Sequence, residues 1–329
     1  MEGPLAIKGE GSVFELLRTD GEDREAWLEL RKQGVGGSDV AAIMGLSHYR
    51  SAYSVWAEKS GLYEPEDIGD KPAVHWGNVL EPIVGGEYAK NHPERETRRV
   101  NAVCRNLKRP WAQASLDYEV KDPELGWGVL EIKTAGAMRA KDWEDGVPVY
   151  YQTQVAHYLS VTGRPFADVA VLIGGSDYRE YRIMRDEEDE AAVAGAVDEF
   201  WADNVMGGSP PEITAARDDG AAVFGANRAG NGEVPYVELS ANMADFLSAR
   251  EDKRRADEEF KLASNRLKKE IGTSAALECD KGKFTWRRYS VNQFDSKAFK
   301  ADHPDLAEEY TSAVLRDGGI VFKPNKGEE

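Results

Sequence analysis

The chain of 329 residues is 41% hydrophobic and 31% charged, enough apolar material for a packed core and too much for global disorder. Its 42 basic and 59 acidic residues give a net charge of −17, the wrong sign for a nonspecific nucleic-acid coat but compatible with a local basic channel on an acidic body. No run of 18 apolar residues predicts a membrane span and no basic-then-apolar leader opens the sequence. Cys104 and Cys279 form no CxxC pair, so zinc ribbons, iron–sulfur clusters and disulfide scaffolds are set aside and a cytoplasmic setting is expected (the host's, for a phage-encoded chain).

Residues 23–32 read as a helix ending at the glycine-rich turn Gly34-Val35-Gly36-Gly37-Ser38-Asp39, with Ser38 expected to cap the next helix. Further helices are predicted over 51–60 and from Asn78 to about Asn91, with Pro82 in the first turns of the second. Five basic residues and no acid lie between Arg98 and Arg109, either a solvated face or part of a DNA track. Strands at 112–120 and 128–134 flank the turn-rich Asp122-Pro123-Glu124-Leu125-Gly126, the signature of a hairpin. A helix over 150–162 stops at Gly163, strands follow at 167–173 and 178–185, and Asp186 caps a helix to about Met206. This order predicts an α/β core, a central mixed sheet flanked by helices, over residues 1–207. Residues 208–235, rich in Gly, Pro, Ala and Asn, read as a linker. The extension 236–329 carries a long charged helix at 240–271, a strand at 284–289 and helical segments over 296–315, suited to oligomer, DNA or partner contacts.

The chemistry centres on Asp117 and on Glu131-Ile132-Lys133. Strand periodicity puts Glu131 and Lys133 on one face, and the hairpin can bring Asp117 beside Glu131. Two carboxylates about 4 Å apart repel by roughly 4 kcal/mol at an effective dielectric near 20, so such a pair persists by sharing a proton or holding a cation. Mg²⁺ suits two carboxylates, a backbone carbonyl and a substrate phosphate, with Lys133 favouring the developing anion. A surface hairpin with an ordinary Glu–Lys pair is the bland alternative. The five histidines, 48, 75, 92, 157 and 303, show no zinc spacing, and no Walker-type phosphate loop occurs. Trp76, Trp111, Trp127, Tyr150 and Tyr151 flank the region as core residues or as stacking surfaces for bases.

Six ordered segments carry a resemblance: Trp27-Leu28-Glu29-Leu30-Arg31, Gly36-Gly37-Ser38-Asp39, Trp76-Gly77-Asn78-Val79-Leu80-Glu81, Ala114-Ser115-Leu116-Asp117, Glu131-Ile132-Lys133-Thr134 and Tyr151-Gln152-Thr153-Gln154-Val155. Over residues 24–185 the chain resembles the PD-(D/E)xK nucleases, and within them the YqaJ-type viral recombinases, the group of lambda exonuclease. Leu116 stands where that superfamily usually has proline. The resemblance implies a restriction-endonuclease-like core, with Glu81, Asp117, Glu131 and the Ile132 carbonyl as Mg²⁺ ligands (Mn²⁺ as a substitute). It implies that Lys133 activates the hydrolytic water and that Gln154, with Gln152 as competitor, orients it. Arg31 and Ser38 match the positions that bind a terminal 5′ phosphate, where a helix N-terminus and a guanidinium suit an anion. Glu81 has a second reading as the closing residue of a capping box, Asn78-x-x-Glu81. The implied activity is Mg²⁺-dependent 5′-to-3′ degradation of double-stranded DNA ends, leaving 3′ single-stranded tails, by a ring-like trimer or tetramer that works with a single-strand annealing protein. Rivals are an endonuclease, a Cas4-like end-processing nuclease, and a non-catalytic DNA-binding scaffold.

Overall fold

A computed structural model of the chain describes residues 5–8, 12–18, 24–47, 50–66, 68–69, 71–216, 219–227, 237–287 and 290–312. The chain divides into two compact units, residues 1–229 and 230–329.

The first unit opens with β1 (Leu5–Lys8), β2 (Phe14–Arg18), α1 (Arg24–Lys32), α2 (Gly37–Ile43), α3 (Ala52–Lys59) and α4 (Pro72–Asn91). It continues with β3 (Glu96–Arg99), β4 (Val103–Asn106), β5 (Gln113–Ser115), β6 (Tyr118–Asp122), β7 (Gly126–Ala135), a 3₁₀ segment (Ala137–Trp143), α5 (Val149–Thr162), β8 (Phe166–Ile173) and β9 (Asp177–Met184). It closes with α6 (Glu187–Glu199), which runs on as a π-helical segment to Met206, and α7 (Asp219–Asn227). One sheet has the order β1-β2-β4-β5; the other, β3-β6-β7-β8-β9, is antiparallel throughout except for the parallel pair β7–β8. Parallel neighbours need a crossover, and α5 supplies it. The expected mixed sheet with flanking helices is therefore present.

β7 and β8 are buried and apolar because helices cover both faces. Val129, Val169 and Val171 pack with Val155, Tyr158 and Leu159 of α5 on one face. Leu130, Ile132 and Ala170 pack with Val84 and Tyr88 of α4 on the other. Gly128 is obligatory here, since a Cβ would lie 2.4 Å from the Phe166 ring.

Several expected boundaries move. The first hairpin strand breaks at Leu116–Asp117: Ser115 pairs with Val103 in one sheet and Tyr118 with Leu130 in the other. Buried Leu116 and the Val100 N–H, donated at 3.0 Å to the Asp117 carbonyl, hold the crossing between sheets. α4 starts six residues earlier than expected, with Pro72 in its first turn, so Asn78 and Glu81 lie within the helix and the capping-box reading falls. Gly36, not Ser38, caps α2; the Asp39 carboxylate accepts the Gly36 N–H at 3.1 Å, and Ser38 sits in the first turn. The stretch expected as a linker contains α7, anchored because Asp219 is buried and accepts from Ser51 Oγ and from the Thr214 N–H and hydroxyl. The strands β1 to β4 were not anticipated.

The second unit holds α8 (Ala241–Ile271), capped by Ser240, the hairpin β10 (Ala276–Cys279) and β11 (Gly282–Thr285), α9 (Ser296–Asp302) and α10 (Pro304–Glu309). The strand expected over 284–289 is thus the second arm of a hairpin, and part of that range and of 296–315 lies outside the described residues. Among the described residues no helix is long and apolar enough to cross a membrane.

Candidate active site

Glu131 and Lys133 sit mid-strand in β7 on the face covered by α5, as alternation requires. Glu131 is 2% exposed. Its Oε1 accepts from Lys133 Nζ and, at 2.8 Å, from Gln154 Nε2 of α5. Among the described residues no N–H or O–H donor reaches its Oε2, which is buried. An orphaned buried carboxylate oxygen is costly, and a cation or a proton is what satisfies it. Asp117, at the crossing between sheets, points back at β7: its Oδ2 accepts the Ile132 N–H at 2.8 Å, and its carboxyl lies within hydrogen-bonding reach of Glu131.

Burial first, then repulsion from Asp117, pushes the Glu131 carboxyl up to about 8. Burial also raises Asp117, against the pull of Lys133 and the Ile132 N–H. Burial alone would lower Lys133, but Glu131 and Asp117 reverse it and the amine stays charged, 4.7 Å from the centre of the Tyr151 ring. The site therefore pairs one firmly charged ammonium with two carboxyls that compete for a positive partner.

Glu81 comes from α4, which covers the opposite face of β7. Its Oε1 accepts from Arg99 at 2.8 Å, and burial and the nearby Asp117 raise its proton affinity. Among the described residues no three His, Cys, Asp or Glu side chains form a ready metal cage. Glu81, Asp117 and Glu131, expected together as ligands, are thus not drawn into a three-carboxylate cage. The donor set fits a hard divalent cation: an orphaned Glu131 oxygen, Asp117 beside it, and Glu81 next to Asp117 but engaged by Arg99.

Arg31 and Ser38 come together, the guanidinium donating to the Ser38 hydroxyl at 2.7 Å. Beneath them lies buried Asp39, ion-paired to Lys59 at 3.0 Å and Arg50 at 3.1 Å. These cations outweigh burial and hold its carboxyl well below the usual range. Lys59 also donates to the Arg31 carbonyl at 2.8 Å, fixing the end of α1. The first turn of α2 reaches Gln154 only because residue 37 is glycine: a Cβ would lie 2.5 Å from the Tyr158 ring and 2.9 Å from Gln154. Gln154 donates to the Tyr158 hydroxyl at 2.7 Å as well as to Glu131, so one amide links the carboxylate pair to a tyrosine under α2. Gln152, the competitor, is turned away to the Val147 carbonyl.

Tyr158, Asp39, Lys59 and Arg99 were not singled out individually from sequence. Tyr158 carried a signal in its spacing, one helical turn after Gln154. The basic run from Arg98 to Arg109 is largely neutralised: Arg98 pairs with Glu119, Arg99 with Glu81, Arg105 with Glu15 and Arg109 with Asp198. Each of these four arginines therefore has an acidic partner remote in sequence.

Residues 26–165 match the family model of the YqaJ-like viral recombinase domain. This stretch contains every candidate residue above. The Bacillus subtilis protein YqaJ is 29% identical over 301 residues, covering 89% of this chain and 93% of that protein. A protein of African swine fever virus is 37% identical over 59 residues, 18% of this chain and 16% of its own length. The crystal structure of an alkaline exonuclease from Laribacter hongkongensis is similar with a TM-score of 0.46 and 21% identity, covering 56% of this chain and 93% of that one.

Proposed function

We propose that the chain is a divalent-metal-dependent deoxyribonuclease of phage-type recombination, a 5′-to-3′ exonuclease on double-stranded DNA ends. The observation that carries this is buried Glu131 with its orphaned oxygen, beside partly buried Asp117 and a charged lysine, inside the stretch that matches the YqaJ-like viral recombinase model. Asp117, Glu131 and the Ile132 carbonyl would hold Mg²⁺, or Mn²⁺ in its place, with Glu81 joining from α4. When bound, the ion neutralises the phosphate and the charge that develops as the phosphodiester breaks.

The chain's own residues do the rest. Lys133 presents a fixed positive charge to the attacking water and the anionic transition state. Gln154, held by two hydrogen bonds, orients the groups around Glu131. Arg31 and Ser38 would clamp the 5′ phosphate, with Asp39 and Lys59 fixing the turn that carries them. A ring-like homo-oligomer around the duplex and a single-strand annealing partner complete the reading; gel filtration with light scattering and co-purification address them separately.

The test is degradation of blunt duplexes labelled at either the 5′ or the 3′ end, in Mg²⁺ or EDTA. Early loss of the 5′ label in Mg²⁺ only, abolished by Lys133→Ala, is expected. Early loss of the 3′ label overturns the polarity, cutting of closed circles overturns the end requirement, and no metal-dependent cleavage overturns the enzyme.

A further inference from the structure

β3 ends at Arg99, whose register partner is Tyr118, and the next residue, Val100, donates its N–H to the Asp117 carbonyl. This pairing sets the Arg99 guanidinium among the acids of the site. It donates to Glu81 Oε1 at 2.8 Å, and its charge acts on Asp117 as well. The next residue back, Arg98, pairs instead with Glu119 and stacks 3.9 Å from the Trp127 ring centre. Arg99 thus supplies beside two carboxylates the kind of charge a divalent ion would bring. It is half exposed, whereas Glu81 is mostly covered, so the guanidinium can leave while the carboxylate stays. An exposed ion pair of this kind is weak enough for a divalent ion to displace.

We propose that Arg99 is a displaceable cation: it occupies Glu81 until a divalent ion enters, and the released guanidinium then binds a phosphate of the DNA backbone. This rests on the metal-site reading above. Displacement frees Glu81 toward Asp117 without leaving either acid unbalanced. It also frees a forked donor, suited to phosphate, at the mouth of the site. Metal entry and DNA grip are coupled through one side chain, so DNA is held more firmly by the metal-loaded protein.

The full chain tests this in two arms. Calorimetric titration with Mn²⁺ alone compares wild type, Arg99→Gln and Asp117→Asn. Arg99→Gln is expected to bind Mn²⁺ about two- to five-fold more tightly, because the competitor is gone. Asp117→Asn is expected to lose at least tenfold. Equal or weaker binding by Arg99→Gln, with Asp117→Asn impaired, overturns the displaceable cation and leaves the metal site standing. Unimpaired binding by Asp117→Asn overturns the metal site and this proposal with it. In the second arm, binding of 5′-phosphorylated duplex is measured in Ca²⁺ against salt concentration. Arg99→Gln is expected to lower the slope of log K against log salt by about 1, the loss of one phosphate contact. An unchanged slope overturns the phosphate role.

Discussion

Two buried carboxylates on neighbouring strands have opposite fates. Asp168 of β8 is the register partner of Leu130, and Glu131 is the next residue of β7, facing the other side of the sheet. Asp168 is fully satisfied: Arg182 reaches both its oxygens at 2.7 and 2.8 Å, Arg95 donates at 3.1 Å, and the Tyr88 hydroxyl donates as well. Glu131 has one occupied oxygen and one orphan, and it is crowded by Asp117. A buried charge whose hydrogen bonds are complete is architecture. One left incomplete, at a cost in folding energy, keeps a place for something that is not part of the chain.

Exchanging the two carboxylates for amides is the strongest way to break this contrast. Asp168→Asn takes one carboxylate from Arg95 and Arg182, which keep Asp122, and is expected to lose about 2–3 kcal/mol of stability in urea unfolding, while the folded fraction keeps hydrolysis within a few-fold of wild type. Glu131→Gln is expected to do the reverse. Burial and Asp117 raise the proton affinity of the Glu131 carboxyl, so the amide resembles the form the metal-free fold favours and stability should change by about 1 kcal/mol or less. Hydrolysis should fall by about 10²–10³-fold or more. If both variants lost stability alike and activity alike, the two clusters would not differ in kind.

Arg31→Ala comes next. The loss of a charge-assisted clamp should reduce the preference for 5′-phosphorylated over 5′-hydroxyl ends by about ten-fold or more, read as a ratio of initial rates. Gly37→Ala sharpens the same point from the packing side. The added methyl meets Tyr158 and Gln154, and about 1–3 kcal/mol of stability should go, seen as a lower urea midpoint.

The smallest effect is in pH. The Glu131 carboxyl is pushed from its ordinary 4.5 up to about 8 in the fold, so the metal-free fold holds the extra proton and its stability declines as pH rises from about 4.5 to 8. His157, buried and lowered to about 4, acts in the other sense, but only below its ordinary 6.5. Between pH 6.5 and 8 the Glu131 effect is therefore not opposed by His157. A divalent ion competes with the proton, so the rise in Tm produced by Mg²⁺ should grow with pH across that window. A rise that is flat or shrinks would place the ion elsewhere.

Much of this was legible in sequence because the site elements are local. β7 and β8 announce themselves as apolar runs, Gly163 marks the end of α5 with a left-handed φ of 68°, and Glu131-Ile132-Lys133 needs only strand alternation to be placed. What stayed hidden depends on pairing across the chain. The short strands β3 and β4 carry charge that reads as solvated, and only their partners Glu119, Glu81 and Glu15 show those arginines to be neutralised. The break at Leu116–Asp117 leaves no glycine or proline to mark it, since the change of sheet is imposed by Val103 on one side and Leu130 on the other. Ser38 looked like a cap because its side chain suits one; the Asp39 carboxylate, fixed by buried Lys59, moved the boundary to Gly36.

The most direct test is an anomalous-scattering map from crystals of the protein grown or soaked with Mn²⁺. A peak within about 2.5 Å of Glu131 Oε2 and in contact with Asp117 is the predicted result. Ordered crystals at saturating Mn²⁺ with no peak at that carboxylate pair, or with the ion bound only elsewhere, would contradict it.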